Sequence, residues 1–305
     1  MMAALTETPR VTVQTHETAL VAQLGWQPVK TLRMVGMRRS GNHAIANWLQ
    51  RNASTGKALF LNNCRAGRDP FRHHNGLEVS GHRCSAPLEH AAEEAGPDAM
   101  LLLSYEDTTL GRAHADRDLS GPLSDQAFDH SVLVYRSFLN WSASLLAKLR
   151  RNPRYRSADR AAVMMRSIAT YGDLLAEVVA AQDQAQARGS VAICYDHWVE
   201  SDLYRAQRLQ ALGLEVRDNS LGMVQAYGGG SSFQPKATTA TELDVMNRWR
   251  GMAKDPEYRA VLSLAALDDV FVSRLTSLFP DDATHLMTLI GANALVDAPT
   301  KVEGI

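Results

Sequence analysis

The chain has few cysteines, no long apolar run and almost no net charge. Three cysteines in 305 residues, Cys64, Cys84 and Cys194, are scattered and share no C-x-x-C spacing. That excludes a disulfide framework, supplies no zinc ligand set and suits a reduced, cytoplasmic protein. Apolar runs such as "AMLLLS" are far short of a bilayer, and the N-terminal "MMAALTETPRVTVQTHET" lacks the apolar core of a leader. Neither an integral membrane segment nor a signal peptide is therefore expected. Thirty-two basic residues against 33 acidic ones leave a net charge of -1, which gives no reason to expect a nucleic-acid partner. Internal repeats and low-complexity tracts are absent as well. At 45% hydrophobic and 21% charged, the composition is that of a globular protein.

Five short, almost continuously apolar runs read as strands buried on both faces: 32–36, 58–62, 99–104, 131–135 and 191–195. Helical periodicity falls between them. Residues 42–52 put Ala44, Ile45, Trp48 and Leu49 on one face, 139–150 do so with Trp141, Leu145 and Leu149, and 158–187 is a long Ala-rich stretch. The alternation predicts an α/β fold of three layers, a central parallel sheet flanked by helices, with ligands at the carboxyl ends of its strands. A single domain over 1–305 is expected. Residues 1–28 form an N-terminal extension, 65–98 an irregular insertion rich in Gly, His and Pro, and 281–305 a tail that packs on the domain or on another subunit.

"GMRRSGNH", Gly36 to His43, follows the first strand and has the G-x-x-x-x-G spacing of a phosphate loop. A strand, a glycine loop and a helix start aim free N–H groups and a positive dipole end at one point. Arg38 and Arg39 add charge, while Ser40, Asn42 and His43 add donors. Asn42 and His43 stand where an ATP-using loop has Lys and a hydroxyl, so the loop is read as suited to an anion transferred without magnesium, with no metal in the site. The plainer alternative is a tight turn with two solvated arginines.

"RRSGNH" after a strand resembles the 5′-phosphosulfate loop of the sulfotransferases that use 3′-phosphoadenosine-5′-phosphosulfate (PAPS). Arg39, Ser40 and Gly41 fall on their matching positions, and Asn42 and His43 replace two Thr residues. "VLVYRSFLNWSAS" is similar to the family's 3′-phosphate element, a strand followed by Arg136 and, eight residues on, Ser144. Pairing of Arg136 with an acid such as Asp129 is the structural alternative. "VAICYDHWVE" resembles the family's late strand, with Tyr195 on a tyrosine that contacts nucleotide, while Asp196 and Trp198 are read as capping and packing. "YGGGSSFQPK" lies where the family places a glycine loop over the 3′-phosphate, which brings in Gly229, Gly230, Ser231, Ser232 and Phe233. It departs from the Arg-Lys-Gly triplet of many relatives, offering only Lys236. Ala44 stands where an adenine-stacking Trp often sits, and Phe233 is the substitute considered.

The resemblance implies a P-loop-like sulfotransferase fold and transfer of a sulfuryl group from PAPS to a hydroxyl or amine of a small-molecule or carbohydrate acceptor. The other product would be 3′-phosphoadenosine-5′-phosphate. Glu106, past the third predicted strand, is the first choice for general base, with His43 second and Arg39 supporting the departing phosphate. Capping by Glu106 and Asp107, or pairing with Arg112, is the alternative. The 65–98 insertion, with Phe71, Arg72, His73, His74, Leu77 and Arg83, is expected to form much of the acceptor pocket. His73, His74 and His82 are read as loop residues. Two other readings stay open: a P-loop kinase, with "LLLSYED" imitating its magnesium-binding acid, and a nucleotide-binding module without catalysis. Homodimer formation also stays open.

Overall fold

The computed structural model describes residue 22 and residues 24–112, 118–183, 189–223 and 244–296. A seven-stranded sheet forms its centre. In chain order the strands are β1 (Lys30–Gly36), β2 (Ala58–Asn62), β3 (Gly76–Val79), β4 (His82–Cys84), β5 (Met100–Glu106), β6 (His130–Tyr135) and β7 (Ser190–Cys194). Their order across the sheet is β4-β3-β2-β5-β1-β6-β7. The five strands expected from the apolar runs are the parallel ones, each within two residues of its predicted bounds.

Although these runs are almost continuously apolar, their side chains alternate between two cores. Leu32, Met34, Phe60, Met100, Leu102 and Ile193 face one side. There they meet α1 (Asn42–Arg51), α5 (Tyr195–Glu200) and α6 (Asp202–Ala211). Val35, Leu59, Leu61, Leu101, Leu103 and Leu133 face the other. They meet α2 (Leu88–Ala95), α3 (Phe138–Arg150), α4 (Ser157–Gln182), α7 (Pro256–Ala265), α8 (Asp269–Leu278) and α9 (Pro280–Val296). The molecule is thus a three-layer α/β structure.

Residues 65–98 are less irregular than expected. They contain the antiparallel strands β3 and β4, which extend the sheet past β2, and helix α2. The hairpin turn is Ser80–Gly81, with φ of 49° and 84°, the pair of positive values a two-residue primed turn needs. Gln50 on α1 accepts a bond from Gly81 N at 2.8 Å and fixes the turn to the parallel core. Strands of four and three residues, one of them exposed, leave little apolar alternation to read. The C-terminal helix packs on this chain's own core through Ala283 and Leu286.

β1 lies between β5 and β6, with its end Gly36 in register with Glu106 on one side and Val134 on the other. The chain runs to one side of β1 through β2 and β5, then to the other through β6 and β7. The crevice at the carboxyl end of β1 is therefore the topological switch point, where open α/β sheets bind ligands.

Candidate functional site

At that switch point residues 36–43 make a tight, braced loop. Met37 O accepts bonds from Ser40 N and from Asn42 Nδ2, both at 3.1 Å. Arg39 and Gly41 hold φ of 73° and 92°, the left-handed region that non-glycine residues occupy at some cost. Gly36 has no room for a side chain, because a Cβ would sit 2.6 Å from Asn42 Oδ1 and 2.9 Å from Val134 O. At Gly41 a Cβ would lie 2.1 Å from Cδ2 of Tyr195. Trp141 Nε1 donates to Arg38 O at 3.0 Å, and Asp107 N donates to Gly36 O at 3.1 Å. The loop is held from both neighbouring strands and from α3.

Helices α6, α7 and α8 begin with Ser201, Asp255 and Asp268, whose side chains accept an N–H of the first turn. Helix α1 begins at Gly41 with no side-chain cap and no acid in its first turn. Its first internal bond is Ile45 N to Gly41 O, so the N–H groups of Asn42, His43 and Ala44 precede the helical ladder. Ser40 Oγ and Asn42 Oδ1 are buried without a hydrogen-bond partner among the described residues. A buried hydroxyl and an uncapped helix end at one loop can receive an anion.

Three arginines converge behind this loop. Arg136 is 1% exposed. Its guanidinium donates to Arg39 O at 3.4 Å and to Val245 O, and its Nε lies 3.5 Å from Asp196 Oδ1. Asp129 is spent on Thr31, so the acid beside Arg136 is Asp196 and not the one suggested by sequence. Asp196 in turn accepts a bond from Ser137 N at 2.6 Å. Ser144 is fully buried and accepts from Nη1 of Arg248 at 3.0 Å. Burial, with Arg136 and Arg39 close by, lowers the Arg248 guanidinium to about 9. Arg39 is lowered by the same causes, burial first and Arg136 second. Arg248 escaped the sequence reading, which took Lys236 as the only cation of that region. The signal available was "NRWRG", two arginines flanking a Trp just after the glycine-rich segment.

Glu106 closes the other side of the loop. Its Oε1 accepts from Asn42 Nδ2 at 3.1 Å, and its charge is felt by Arg39. Asp107 neither caps a helix nor pairs with Arg112. It binds the backbone N of Arg38 at 3.0 Å and the Arg38 guanidinium. Arg38 is therefore tied to the rim, while His43 is half-buried in the first turn of α1. Tyr195 lies under the loop, 5% exposed and stacked on Trp198 with ring centroids 5.7 Å apart. In this position it supports Gly41 with its ring and lies 5.2 Å below the Arg136 guanidinium. Trp198 is packing, as expected, with its ring edge-on to Trp48.

Compared with family models, curated proteins and solved structures, the chain matches none of them.

An open cleft of ≈ 830 Å³ borders the loop at Met37, Arg38 and Asp107 and is walled by α4. The residues expected to wall the acceptor do not line this cleft. Phe71, His74, Leu77 and Arg83 line a separate pocket of ≈ 450 Å³ beside the β3–β4 hairpin, with no loop residue in its lining. The hairpin extends the sheet sideways and so carries most of the insertion away from β1. Gly229, Gly230, Ser231, Ser232, Phe233 and Lys236 lie outside the described residues. Among the described residues no group of three or more His, Cys, Asp or Glu is placed to hold a metal ion, and no helix is long and apolar enough to cross a membrane.

Proposed function

We propose that the chain is a PAPS-dependent sulfotransferase of P-loop-like architecture, acting on a small-molecule or carbohydrate acceptor. The observation that carries this reading is the convergence of Arg39, Arg136 and Arg248 behind an uncapped helix start, two of them with lowered pKa because they are buried together. Clustered cations taken out of water oppose folding unless something anionic meets them. An anion with two charged ends would do so, one end at the loop and the other near Ser144.

On this reading Arg39, Ser40, Gly41, Asn42 and His43 hold the 5′ end through side chains and N–H groups. Arg248 and Ser144 hold the 3′-phosphate. Arg136 acts as a positioning residue, fixing the carbonyls of Arg39 and Val245. PAPS would supply the activated sulfuryl group. Glu106 would take the proton from the acceptor, its carboxylate oriented by Asn42. Arg39 would offset the charge that grows on the departing phosphate.

One observation favours a kinase instead: Glu106 ends β5 beside Gly36, where an acid could hold magnesium. Calorimetric titration with 3′-phosphoadenosine-5′-phosphate and with ATP, each with and without magnesium, separates the two. Magnesium-independent binding of the bisphosphate that collapses in Arg248→Ala is the expected result. Binding of ATP only with magnesium would overturn the reading.

A further inference from the structure

The cleft beside the loop is about evenly polar and apolar, and its charges are unequally engaged. Its three acids have partners. Asp107 holds Arg38, and Asp173 faces Arg274 at 3.2 Å. Glu177 accepts from Leu110 N and Gly111 N at 2.9 and 2.6 Å, which pins the segment after β5 to α4.

Two cations of the cleft have no such commitment. Arg166 is exposed and has no acidic partner among the described residues. Arg112 reaches the neutral hydroxyl of Thr170 at 3.4 Å. Residues 166 and 170 lie one turn apart on the same face of α4, and Arg112, Arg166 and Thr170 all line this cleft. Tyr155 is the single aromatic ring in the described lining, while Thr109, Ser167 and Thr170 contribute hydroxyls. Beside the apolar Met37, Val163 and Ala169, the directional contacts of this wall come from guanidinium groups and hydroxyls, which suit a hydroxyl-rich anion. The volume of ≈ 830 Å³ lies within the usual range of small-ligand sites, about 300–1,000 Å³.

We infer that this cleft binds an acidic carbohydrate, with Arg112 and Arg166 gripping its carboxylate or phosphate and Tyr155 beneath a sugar ring. Under the transfer reading, on which its role as acceptor site rests, one end of the sugar meets the loop at Asp107 and the charged end lies toward α4.

Binding to the full chain is measured by calorimetry at low salt, with and without 3′-phosphoadenosine-5′-phosphate. The probes are a hexuronate-containing disaccharide, a hexose phosphate, the neutral disaccharide of the same linkage, and a simple phenol. At least one acidic sugar should bind about tenfold or more tightly than the neutral one. That preference should vanish in the Arg112→Ala/Arg166→Ala double variant, while the nucleotide affinity stays unchanged. Whichever acidic probe wins identifies carboxylate or phosphate as the group gripped. Equal binding of acidic and neutral sugars, a preference for the phenol, or an acidic preference that survives the double variant would each overturn the inference. Acidic-sugar binding without any nucleotide binding would leave the cleft assignment standing and sink the sulfotransferase reading alone.

Discussion

Gly41→Ala tests whether the loop is the rigid cradle described above. The residue holds φ at 92°, and an added Cβ would enter the ring of Tyr195 at 2.1 Å from Cδ2 and 2.3 Å from Cε2. A non-glycine residue in left-handed backbone costs about 1–2 kcal/mol. The ring has little freedom to retreat, being stacked on Trp198 and covered by Arg136. Forcing extra volume into such packing costs about 1–3 kcal/mol. Together these terms predict a loss of about 2–5 kcal/mol, read as a fall in the urea midpoint with an unchanged slope. Tyr195→Leu in the alanine background removes the obstructing ring and leaves the backbone term. A double-mutant cycle should therefore return a favourable coupling of about 1–3 kcal/mol. A Gly41→Ala protein within about 0.5 kcal/mol of the parent would refute the reasoning, since it would make the close approach of Tyr195 dispensable.

Arg248→Met should leave stability equal or raised in denaturant melts, because it removes a cation crowded by Arg136 and Arg39, and should weaken bisphosphate nucleotide binding by roughly 10- to 100-fold. Loss of stability with unchanged binding would invert its assigned role. Glu106→Gln keeps an oxygen for the Asn42 bond but loses the base. Nucleotide binding should survive, while transfer to an acceptor falls by about 10²–10⁴-fold in single-turnover assays, and full activity would remove Glu106 from the chemistry. Asp282, on α9, accepts from Ser137 Oγ at 2.8 Å and Leu139 N at 3.1 Å, yet burial pushes its carboxyl up to about 6. An acid held more tightly protonated in the fold favours folding most below pH 4. That contribution fades as the pH rises to about 6, a swing of about 2–3 kcal/mol. Asp282→Asn should flatten the pH dependence of the melting midpoint across that window; an unaltered slope would assign it to other groups.

The parallel part of the sheet was legible because its strands are apolar on both faces and bounded by turn residues, as in 32–36 and 58–62. The β3–β4 hairpin was hidden because its strands are short and its signal was the Ser80–Gly81 turn alone. Within the site, spacing marked Arg39, Ser40, Gly41, Arg136 and Ser144, but it could not say how they divide their work. Arg136 looks like a ligand in one dimension; in three it is enclosed by Asp196 and two carbonyls. The cation against Ser144 comes from 104 residues downstream, a distance no local pattern spans. Tyr195 shows the same limit, since only the fold sets its ring beneath Gly41.

The cost of this arrangement is itself an argument about function. Asp196 lies 3.5 Å from Arg136. Glu106 partly offsets Arg39 but bonds to Asn42, and Asp244 partly offsets Arg248. A core selected for stability alone would replace buried guanidinium groups with apolar side chains of similar volume, an exchange that is often neutral or favourable. Ser40 adds a buried hydroxyl without a partner, and Arg39 a left-handed backbone, at the same loop. Local conflicts of this kind collect where a ligand relieves them. On the proposed reading, an anionic ligand at the end of β1 that meets the N–H groups of α1 would relieve them. Stabilisation of the whole chain by that ligand, seen as a melting midpoint that rises with bisphosphate nucleotide but not with an equal ionic strength of chloride, follows directly from this balance.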